Sequence, residues 1–293
     1  MNLHAGLPVK YKAREPLKKH TTFGIGGPCQ YWAEPRNYPD LARLIAWSKK
    51  NNKRVFVIGA GSNLLVSDAG VRGVVIRLSS AAFRGISMRN NYVCAGAGSA
   101  LSKLSAFCAA AGLSGLEFLT GIPGTVGGAI AGNAGTKDKS IGDLVEFVKV
   151  MDYNGKIKTI KRKAAHFGYR SSGLYGFIVL QAGFMLVKKD RRTIRTNITG
   201  YARARKASQG AGWRSAGCCF KNPPGDSAGR LIDACGFKGA ACGNASVSQI
   251  HANFILNDGN ARCRDVVALM QRIASKVKKK YGIVLEPEIK IWR

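Results

Sequence analysis

Two turns rich in glycine could bind phosphate through their backbone. The first reads Gly-Ala-Gly-Ser-Asn-Leu-Leu over residues 59–65 and follows a β-branched run, and a similar turn begins 37 residues later, at Gly96. A strand that feeds such a turn exposes N–H groups, and Ser62 and Asn63 add side-chain donors. Leu64 replaces the third glycine of the dinucleotide fingerprint, and no Gly-Lys-Ser/Thr is present. The first turn therefore indicates either a phosphate site or an ordinary tight turn.

The segment from Gly121 to Gly135 has six glycines in fifteen residues. So many residues without a Cβ cost backbone entropy, and the usual return is close approach of the backbone to a ligand. Flexible linkers are rich in serine and polar, whereas this segment contains Ile122, Pro123 and Val126. The composition favours a wall of a cofactor site over a linker.

The cysteines and histidines do not form a metal site. No CxxC is present, and no Cys or His pair has the spacing of zinc ligands. Residues 1–20 lack the apolar core of a signal peptide, so we expect reduced thiols and a cytoplasmic location. Most of the eight cysteines are interpreted as small apolar core residues, and the adjacent pair Cys218-Cys219 stands out.

Short strands alternate with helices in the first third of the chain. Ser99 is a predicted N-cap of a helix that ends at Gly112, and Asn154-Gly155 predicts a type I′ hairpin turn. A basic stretch over 188–213 predicts a helix at a domain boundary. A long amphipathic helix is expected from Cys263 to Tyr281, and a final strand over 286–292. The buried face of that helix is predicted to contain Val266, Leu269, Ile273 and Val277.

Composition narrows the class of protein. The 293 residues are enough for about two domains, and 46% apolar content fits a globular chain. No run of 18 apolar residues exists, so we expect no membrane-spanning helix. With 46 Lys plus Arg against 16 Asp plus Glu, the formal charge is +30. The basic residues are not interleaved with aromatics and accompany no nucleic-acid-binding motif, so a basic surface is favoured over a specific nucleic-acid site.

Seven motifs occur in an order that resembles the UDP-N-acetylenolpyruvoylglucosamine reductase family, flavoproteins of peptidoglycan precursor synthesis. The short connection between Arg170 and Val187 is similar to the compact form of the family, without an inserted tyrosine loop. The motifs are TTFGIGG at 21–27, GAGSNLL at 59–65, the 121–135 segment, FGYR at 167–170, SAGCCFKNP at 215–223, VSQIHANF at 247–254 and LEPE at 285–288.

The resemblance implies an α+β fold and bound FAD. An FAD-binding module of the vanillyl-alcohol oxidase (PCMH) type, with two α+β subdomains, is expected over 20–190. A smaller α+β substrate-binding domain is expected over 191–285, and residues 286–293 form a strand that returns to the FAD domain. The residues implied to hold FAD non-covalently are Gly59, Gly61, Ser62, Asn63, Leu64, Gly121, Pro123, Gly124, Thr125, Gly127, Gly128, Asn133 and Gly135.

The resemblance also implies the chemistry. In the family, NADPH reduces FAD, and flavin N5 then delivers hydride to the vinyl carbon of an enolpyruvyl ether, giving UDP-N-acetylmuramate. Arg170 and Glu288 would stabilise the negative charge that develops at the carboxylate, Arg170 as a permanent cation and Glu288 as a protonated donor. Cys218 occupies the position where the family carries the proton-donating serine. Lys221 and Asn222 are implied substrate contacts.

The chain departs from the family pattern at several points. A thiol is a stronger acid than a hydroxyl, so Cys218 should keep the reaction but add sensitivity to thiol reagents. Cys219 is expected to point away from the site, as neighbouring strand residues do. Gly24 stands where arginine is common, and the segments Thr136 to Ser140 and Ser208 to Trp213 differ from the usual loops. These loops bear on substrate affinity more than on the reaction.

Two other functions are compatible with the sequence. One is a flavin-dependent oxidoreductase of the same fold with another substrate, such as an oxidase, which would hold FAD without substrate-dependent NADPH consumption. The other is a basic RNA-associated protein without flavin, whose RNA binding would fall steeply with salt. The main hypothesis expects small-molecule ligands, no specific nucleic acid, no membrane partner and a monomer.

Overall fold

The computed structural model describes residues 6–210, 212 and 214–293. Ala211 and Trp213, part of the predicted loop departure, lie outside the described residues. The strands, numbered in chain order, are β1 Tyr11–Ala13, β2 Cys29–Ala33, β3 Val55–Ile58, β4 Leu64–Val66, β5 Val71–Arg77, β6 Ile86–Arg89, β7 Tyr92–Gly96, β8 Leu113–Ser114, β9 Val145–Asp152, β10 Ile157–Lys161, β11 Phe177–Met185, β12 Val187–Lys188, β13 Ala241–Cys242, β14 Ala245–Val247, β15 Ile255–Asn257 and β16 Lys290–Trp292. The α-helices are α1 Tyr38–Lys50, α2 Leu101–Ala110, α3 Val126–Ala131, α4 Arg191–Ser208, α5 Ala228–Ala234 and α6 Cys263–Tyr281.

The chain divides into two compact units, each with its own hydrophobic core. The first unit contains the described residues up to Ala13 together with Gln30–Ala60 and Arg72–Arg205. The second unit contains Arg14–Cys29, Gly61–Val71 and Lys206–Arg293. In the described part of the chain, no helix is long and apolar enough to cross a membrane.

The first unit contains two main sheets. One has the order β1-β2-β5-β3, with β3 and β5 parallel, and the other is an antiparallel sheet of order β10-β9-β11-β7-β6. Helix α1 begins where the Asn37 side chain accepts a hydrogen bond from Asp40 N at 2.8 Å, and it buries Leu41, Leu44 and Ile45. Helix α3 packs against β11, so the glycine-rich segment is carried by the antiparallel sheet.

Two local predictions in this unit are wrong. Helix α2 has Ala100 as its N-cap, because the Ser99 hydroxyl donates to the carbonyl of Arg84 at 2.9 Å instead of capping the helix. The β9–β10 hairpin has a positive φ at Gly155 but not at Asn154, so its turn is not type I′. In both places a hydrogen bond to a residue outside the motif competes with the local preference: Ser99 bonds to Arg84, and Asp152 Oδ1 accepts from Asn154 N and Lys156 N at 2.9 Å each.

The second unit builds its core around α6. This helix spans the predicted residues, and all four residues of its predicted buried face are buried. A three-stranded antiparallel sheet has the order β13-β14-β15, and β16 pairs in parallel with β4. The predicted final strand is shorter than expected, because its regular pairing covers only the last part of the 286–292 segment.

Asp68 caps α6 from a distant part of the sequence. Its carboxylate accepts hydrogen bonds from Cys263 N at 2.8 Å and Arg264 N at 3.3 Å. A carboxylate at a helix N-terminus satisfies free N–H groups and interacts favourably with the helix dipole. Asp68→Ala should therefore lower the free energy of unfolding by about 1 kcal/mol, measured by urea denaturation. Asp258→Ala, at an exposed position of the same unit, is the control, and an equal loss in both variants would contradict the capping role.

Candidate active site

The first unit has a cavity lined by four of the residues predicted to hold FAD. It has a volume of about 180 Å³, and Gly59, Thr125, Gly127 and Gly128 lie in its wall. The wall also contains residues that the sequence analysis did not select: Arg77, Ser79, Arg84 and Gly98. The two guanidinium groups can pair with the oxygens of a pyrophosphate, and the glycines allow a ligand to approach the backbone closely. The residues present therefore fit the phosphate part of a dinucleotide such as FAD.

Arg77 and Arg84 could have been noticed from the sequence. Arg77 ends β5, and Arg84 precedes β6, which pairs with β7, the strand that leads into the second glycine turn at Gly96. The repeated glycine turn was the sequence signal that could have pointed to this region, because its second copy also contributes Gly98 to the cavity wall. That the two arginines face the same cavity depends on how the strands pack.

Gly59 allows the backbone to pass close to Thr125. A Cβ at Gly59 would lie 2.5 Å from Thr125 Oγ1, and that oxygen also accepts a hydrogen bond from Gly128 N at 3.3 Å. A methyl group at this point would push the β3 end away from the glycine-rich segment. The glycine is needed here for packing in the wall of the cavity.

Gly59→Ala should therefore weaken flavin binding, by about tenfold, because a displaced wall loses a good part of one polar contact. The dissociation constant for FAD, measured by flavin fluorescence after reconstitution, tests this expectation. Gly200→Ala is the matched control, since a Cβ at Gly200 in α4 would meet no atom within 4 Å. The control should keep its FAD affinity and gain about 0.5–1 kcal/mol of stability. Equal FAD affinities in both variants would contradict the role given to Gly59.

Other residues of the 121–135 segment are held by neighbouring backbone and side chains. Gly121 has φ +77°, and a Cβ there would lie 2.7 Å from Cδ of Arg205, whose Nε donates to the Thr120 carbonyl at 3.0 Å. Asn133 is buried, donates to the carbonyl of Gly168 at 2.8 Å and accepts from Gly142 N at 2.9 Å. The basic helix α4 thus holds one end of the segment, and Asn133 fastens the other.

Arg170 lies in the same unit, beside a second and larger cavity. Its φ is +52°, an uncommon conformation for a residue with a side chain. Nη1 donates to the Gly135 carbonyl at 3.0 Å, so the guanidinium is attached to the end of the glycine-rich segment. The cavity beside it has a volume of about 830 Å³. Arg170 thus places a permanent cation at a large pocket.

The remainder of the first glycine turn belongs to the second unit. A Cβ at Gly61 would lie 2.1 Å from the His20 carbonyl oxygen, and φ is +65°. The Asn63 side chain donates from Nδ2 to the Glu288 carbonyl at 3.3 Å, and the Asn63 backbone carbonyl accepts from Lys290 N at 3.0 Å. Leu64 begins β4, which pairs with the C-terminal strand β16. The turn is therefore tied to the segment that contains Glu288.

Cys218 and Glu288 lie on segments that pair with each other. The Cys219 carbonyl accepts from Glu288 N at 2.8 Å, and Phe220 forms a bridge with Pro287. Cys218 is half-buried and Cys219 is buried in the core, in agreement with the expected alternation. Burial, with a smaller contribution from the nearby Cys218 and Glu288, raises the pKa of the Cys219 thiol to about 12, and a backbone hydrogen bond opposes the shift. At neutral pH Cys219 is therefore an unreactive thiol.

Lys221 and Asn222, the implied substrate contacts, have protein partners. Lys221 Nζ lies 3.0 Å from Glu286 Oε2 in a partly exposed ion pair. Asn222 Oδ1 accepts from Ala228 N at 3.0 Å, at the first residue of α5. Both residues follow Cys218 closely in the sequence. Cys218, Lys221 and Asn222 therefore lie on or next to the segment that pairs with the one containing Glu288. Their contact with a substrate stays a prediction.

The predicted site residues are thus divided between the units. The first unit contains Gly59, the 121–135 segment and Arg170, and the second contains residues 61–64, Cys218, Lys221, Asn222 and Glu288.

A module of two sheets with a cavity that fits the phosphates of a dinucleotide, in a chain that also has a smaller α+β unit, is typical of FAD-dependent oxidoreductases. Residues 29–161 match the family model described as FAD binding domain. Residues 208–292 match the C-terminal domain of UDP-N-acetylenolpyruvoylglucosamine reductase. The chain belongs to the UDP-N-acetylenolpyruvoylglucosamine reductase family, and the predicted fold class, an FAD-binding module with a smaller α+β domain, is confirmed.

Individual relatives show that the similarity extends over almost the whole chain. UDP-N-acetylenolpyruvoylglucosamine reductase of Moorella thermoacetica is 40% identical over 291 residues, 99% of this chain and 96% of that protein. The protein of the same name from Geotalea uraniireducens is 42% identical over 291 residues, with the same coverage of 99% and 96%. A crystal structure of the Thermus caldophilus reductase matches with a TM-score of 0.85 and 39% identity, covering 97% of this chain and 99% of that one.

Proposed function

We propose that this chain reduces the enolpyruvyl ether of UDP-N-acetylglucosamine to UDP-N-acetylmuramate, a peptidoglycan precursor, with NADPH as the reductant. The observation that carries the proposal is the pairing of the 218–220 segment with the 286–288 segment, because it brings together the backbone segments that carry Cys218 and Glu288 in a family member. The fold supports it, since relatives that cover 99% of the chain have the name of this reductase. A monomer in the cytoplasm stays part of the proposal.

FAD fits the first unit, where Gly59, Thr125, Gly127 and Gly128 line a cavity with two arginines. When bound, FAD supplies the hydride that the vinyl carbon of the substrate accepts. The 121–135 segment would hold the cofactor along its backbone, and the contacts of Arg205 and Asn133 keep that backbone in place.

Three side chains would act on the substrate, two by stabilising its negative charge and one by donating a proton. Arg170 offers a guanidinium fork to the carboxylate, where negative charge builds up as the vinyl carbon is reduced. Glu288, when protonated, donates a hydrogen bond to the same carboxylate. The Cys218 Sγ–H gives its proton to the carbon beside the carboxylate, and the thiolate regains a proton from solvent, since Cys218 is half-buried.

The experiment follows the flavin. The purified protein should show a flavin spectrum that NADPH bleaches under anaerobic conditions. Adding the enolpyruvyl ether of UDP-N-acetylglucosamine should restore the oxidised spectrum, with one UDP-N-acetylmuramate formed per flavin oxidised. A colourless protein, or flavin that stays reduced in the presence of the ether, would contradict the proposed function.

A further inference from the structure

The motif VSQIHANF at 247–254 has no role in the proposed function. It contains Asn253, which is 2% exposed and has an amide that must both donate and accept when it is buried. Both partners of this amide belong to one residue. Nδ2 donates to the Phe220 carbonyl at 2.8 Å, and Oδ1 accepts from Phe220 N at 2.9 Å. Phe220 lies two positions after Cys218, so the motif is tied to the segment that carries the predicted proton donor.

The pairing of Phe220 explains why its backbone needs a side chain as partner. Phe220 forms an antiparallel bridge with Pro287, and the hydrogen bonds of this bridge come from the residues on either side of Phe220. In such a bridge the N–H and C=O of the bridged residue point to the opposite side. Because Phe220 is buried, these two groups need partners inside the protein. The Asn253 amide supplies both, as the backbone of a neighbouring strand would.

The backbone of the same motif holds the residues before Phe220. The Asn253 carbonyl accepts from Cys219 N at 2.8 Å, and Cys218 forms an antiparallel bridge with Phe254. Residues 218–220 therefore lie between two segments, 253–254 on one side and 286–288 on the other. A displacement of Phe220 would be passed to Cys218 through two peptide units.

The turn that carries Asn253 is itself fixed by buried side chains. Ser248 is buried, and its Oγ accepts from Ile250 N at 3.1 Å and from His251 N at 3.2 Å. Asn253 N donates to His251 Nδ1 at 3.2 Å. Asn253 thus extends from a turn with its own hydrogen bonds, so its side chain can fix the backbone of Phe220.

We propose that Asn253 is a positioning residue for the proton transfer. Its side chain holds residues 218–220 in the place from which Cys218 protonates the carbon beside the substrate carboxylate. The inference rests on the proposed function, because that function gives Cys218 its role. Asn253 acts through the backbone of Phe220, two residues from the thiol. A displacement of about 1 Å at a reacting group can slow a reaction by about 100-fold, so this contact can control the rate.

Asn253→Ala should slow the oxidation of reduced flavin by the enolpyruvyl ether by about 10- to 100-fold, because Phe220 loses both partners and the segment shifts. Reduction of the flavin by NADPH should keep its rate. Asn257→Ala is the matched control, since Asn257 is also buried in the second unit and its side chain holds backbone outside residues 218–220, such as the Phe23 carbonyl at 2.9 Å. The control should keep the oxidation rate. Equal slowing in the two variants would show general loosening of the unit and overturn the inference.

A double-mutant cycle separates the positioning of Cys218 from general support of the unit. If Asn253 acts through the Cys218 thiol, Asn253→Ala should slow the Cys218→Ala enzyme by less than about twofold, because the group that it positions is already absent. Anaerobic stopped-flow absorbance at saturating enolpyruvyl ether measures all four proteins. Equal slowing by Asn253→Ala in both backgrounds would overturn the inference.

Asn253→Asp is a second variant that keeps the shape of the side chain if Asn253→Ala does not fold. A protonated carboxyl can still accept from Phe220 N and donate to the Phe220 carbonyl, whereas a carboxylate cannot donate. The oxidation rate is divided by that of the unmodified enzyme at each pH, which removes the titration of neighbours such as His251 and Cys218. This ratio should be near one at about pH 5 and fall towards about pH 9 as the buried carboxyl ionises. A ratio that stays low, or stays near one, would overturn the inference.

Failure of the proposed function would give a different result. If the unmodified protein does not oxidise its reduced flavin with the enolpyruvyl ether, the proposed function itself is contradicted. If the unmodified protein is active and Cys218→Ala is slow while Asn253→Ala is normal, only the role of Asn253 is contradicted.

Discussion

Cys218→Ala should slow the oxidation of reduced flavin by the enolpyruvyl ether by about 10²- to 10⁴-fold, the usual contribution of a positioned proton donor. The variant loses the Sγ–H that protonates the carbon beside the carboxylate, and water must replace it. Reduction of the flavin by NADPH needs no such proton and should keep its rate. Anaerobic stopped-flow absorbance of the flavin measures the two half-reactions separately, so the loss can be assigned to the second one.

Cys218→Ser is the matched control for this prediction, because it replaces the thiol with a hydroxyl, the group that the resemblance implies at this position in the family. It should recover most of the lost rate and make the enzyme insensitive to iodoacetamide. Cys235→Ser, at another half-buried cysteine of the second unit, should leave both the rate and the sensitivity as they are. If Cys218→Ala turned over normally, or alkylation left the unmodified enzyme active, Cys218 would not be the proton donor.

Arg170→Ala should lower the same flavin oxidation rate by about 10²- to 10³-fold, the cost of removing one electrostatic group at a developing negative charge. The guanidinium is held by its hydrogen bond to the Gly135 carbonyl, so its orientation is set before substrate arrives. The KM for the enolpyruvyl ether should rise as well, because the carboxylate is present in the bound substrate too.

Arg170→Lys distinguishes charge from geometry. Lysine keeps the positive charge and the same backbone demand at φ +52°, but it lacks the two-pronged fork that matches a carboxylate. We expect a rate between those of the unmodified enzyme and Arg170→Ala. Flavin content and thermal unfolding must match in all three proteins. Equal rates for the lysine and alanine variants would contradict a stabilising charge, and a normal rate for alanine would exclude Arg170 from the reaction.

The charge of +30 acquires a partial explanation from the cavities. Arg77 and Arg84 line the smaller cavity, and a cluster of lysines lines the larger one. Helix α4 uses one of its arginines, Arg205, to hold the glycine-rich segment. These residues explain part of the excess of positive charge, because some could bind anionic nucleotides and one supports the glycine-rich segment. For the rest we have no physical account beyond a basic surface.

Local patterns in the sequence determined the elements whose stability is local. The spacing of apolar residues over 263–281 predicted α6 and its buried face, because a helical period of 3.6 fixes which side chains share a face. The glycine density over 121–135 marked the wall beside the smaller cavity. The order of seven motifs was enough to predict the family. Each of these signals lies in neighbouring residues or in their order along the chain.

Tertiary structure decided the features that depend on residues far apart in the chain. Ser99 donates to the Arg84 carbonyl rather than capping α2, and Asp68 caps α6 from almost 200 residues away. The pairing that brings the Cys218 segment to Glu288 spans 70 residues, and Arg77 and Arg84 meet at a cavity through strand packing. Periodicity and turn preferences act over a few residues, whereas these contacts exist only once the strands have paired and the cores have packed. The sequence alone therefore predicted which residues could do the chemistry, and the fold decided which of them lie together.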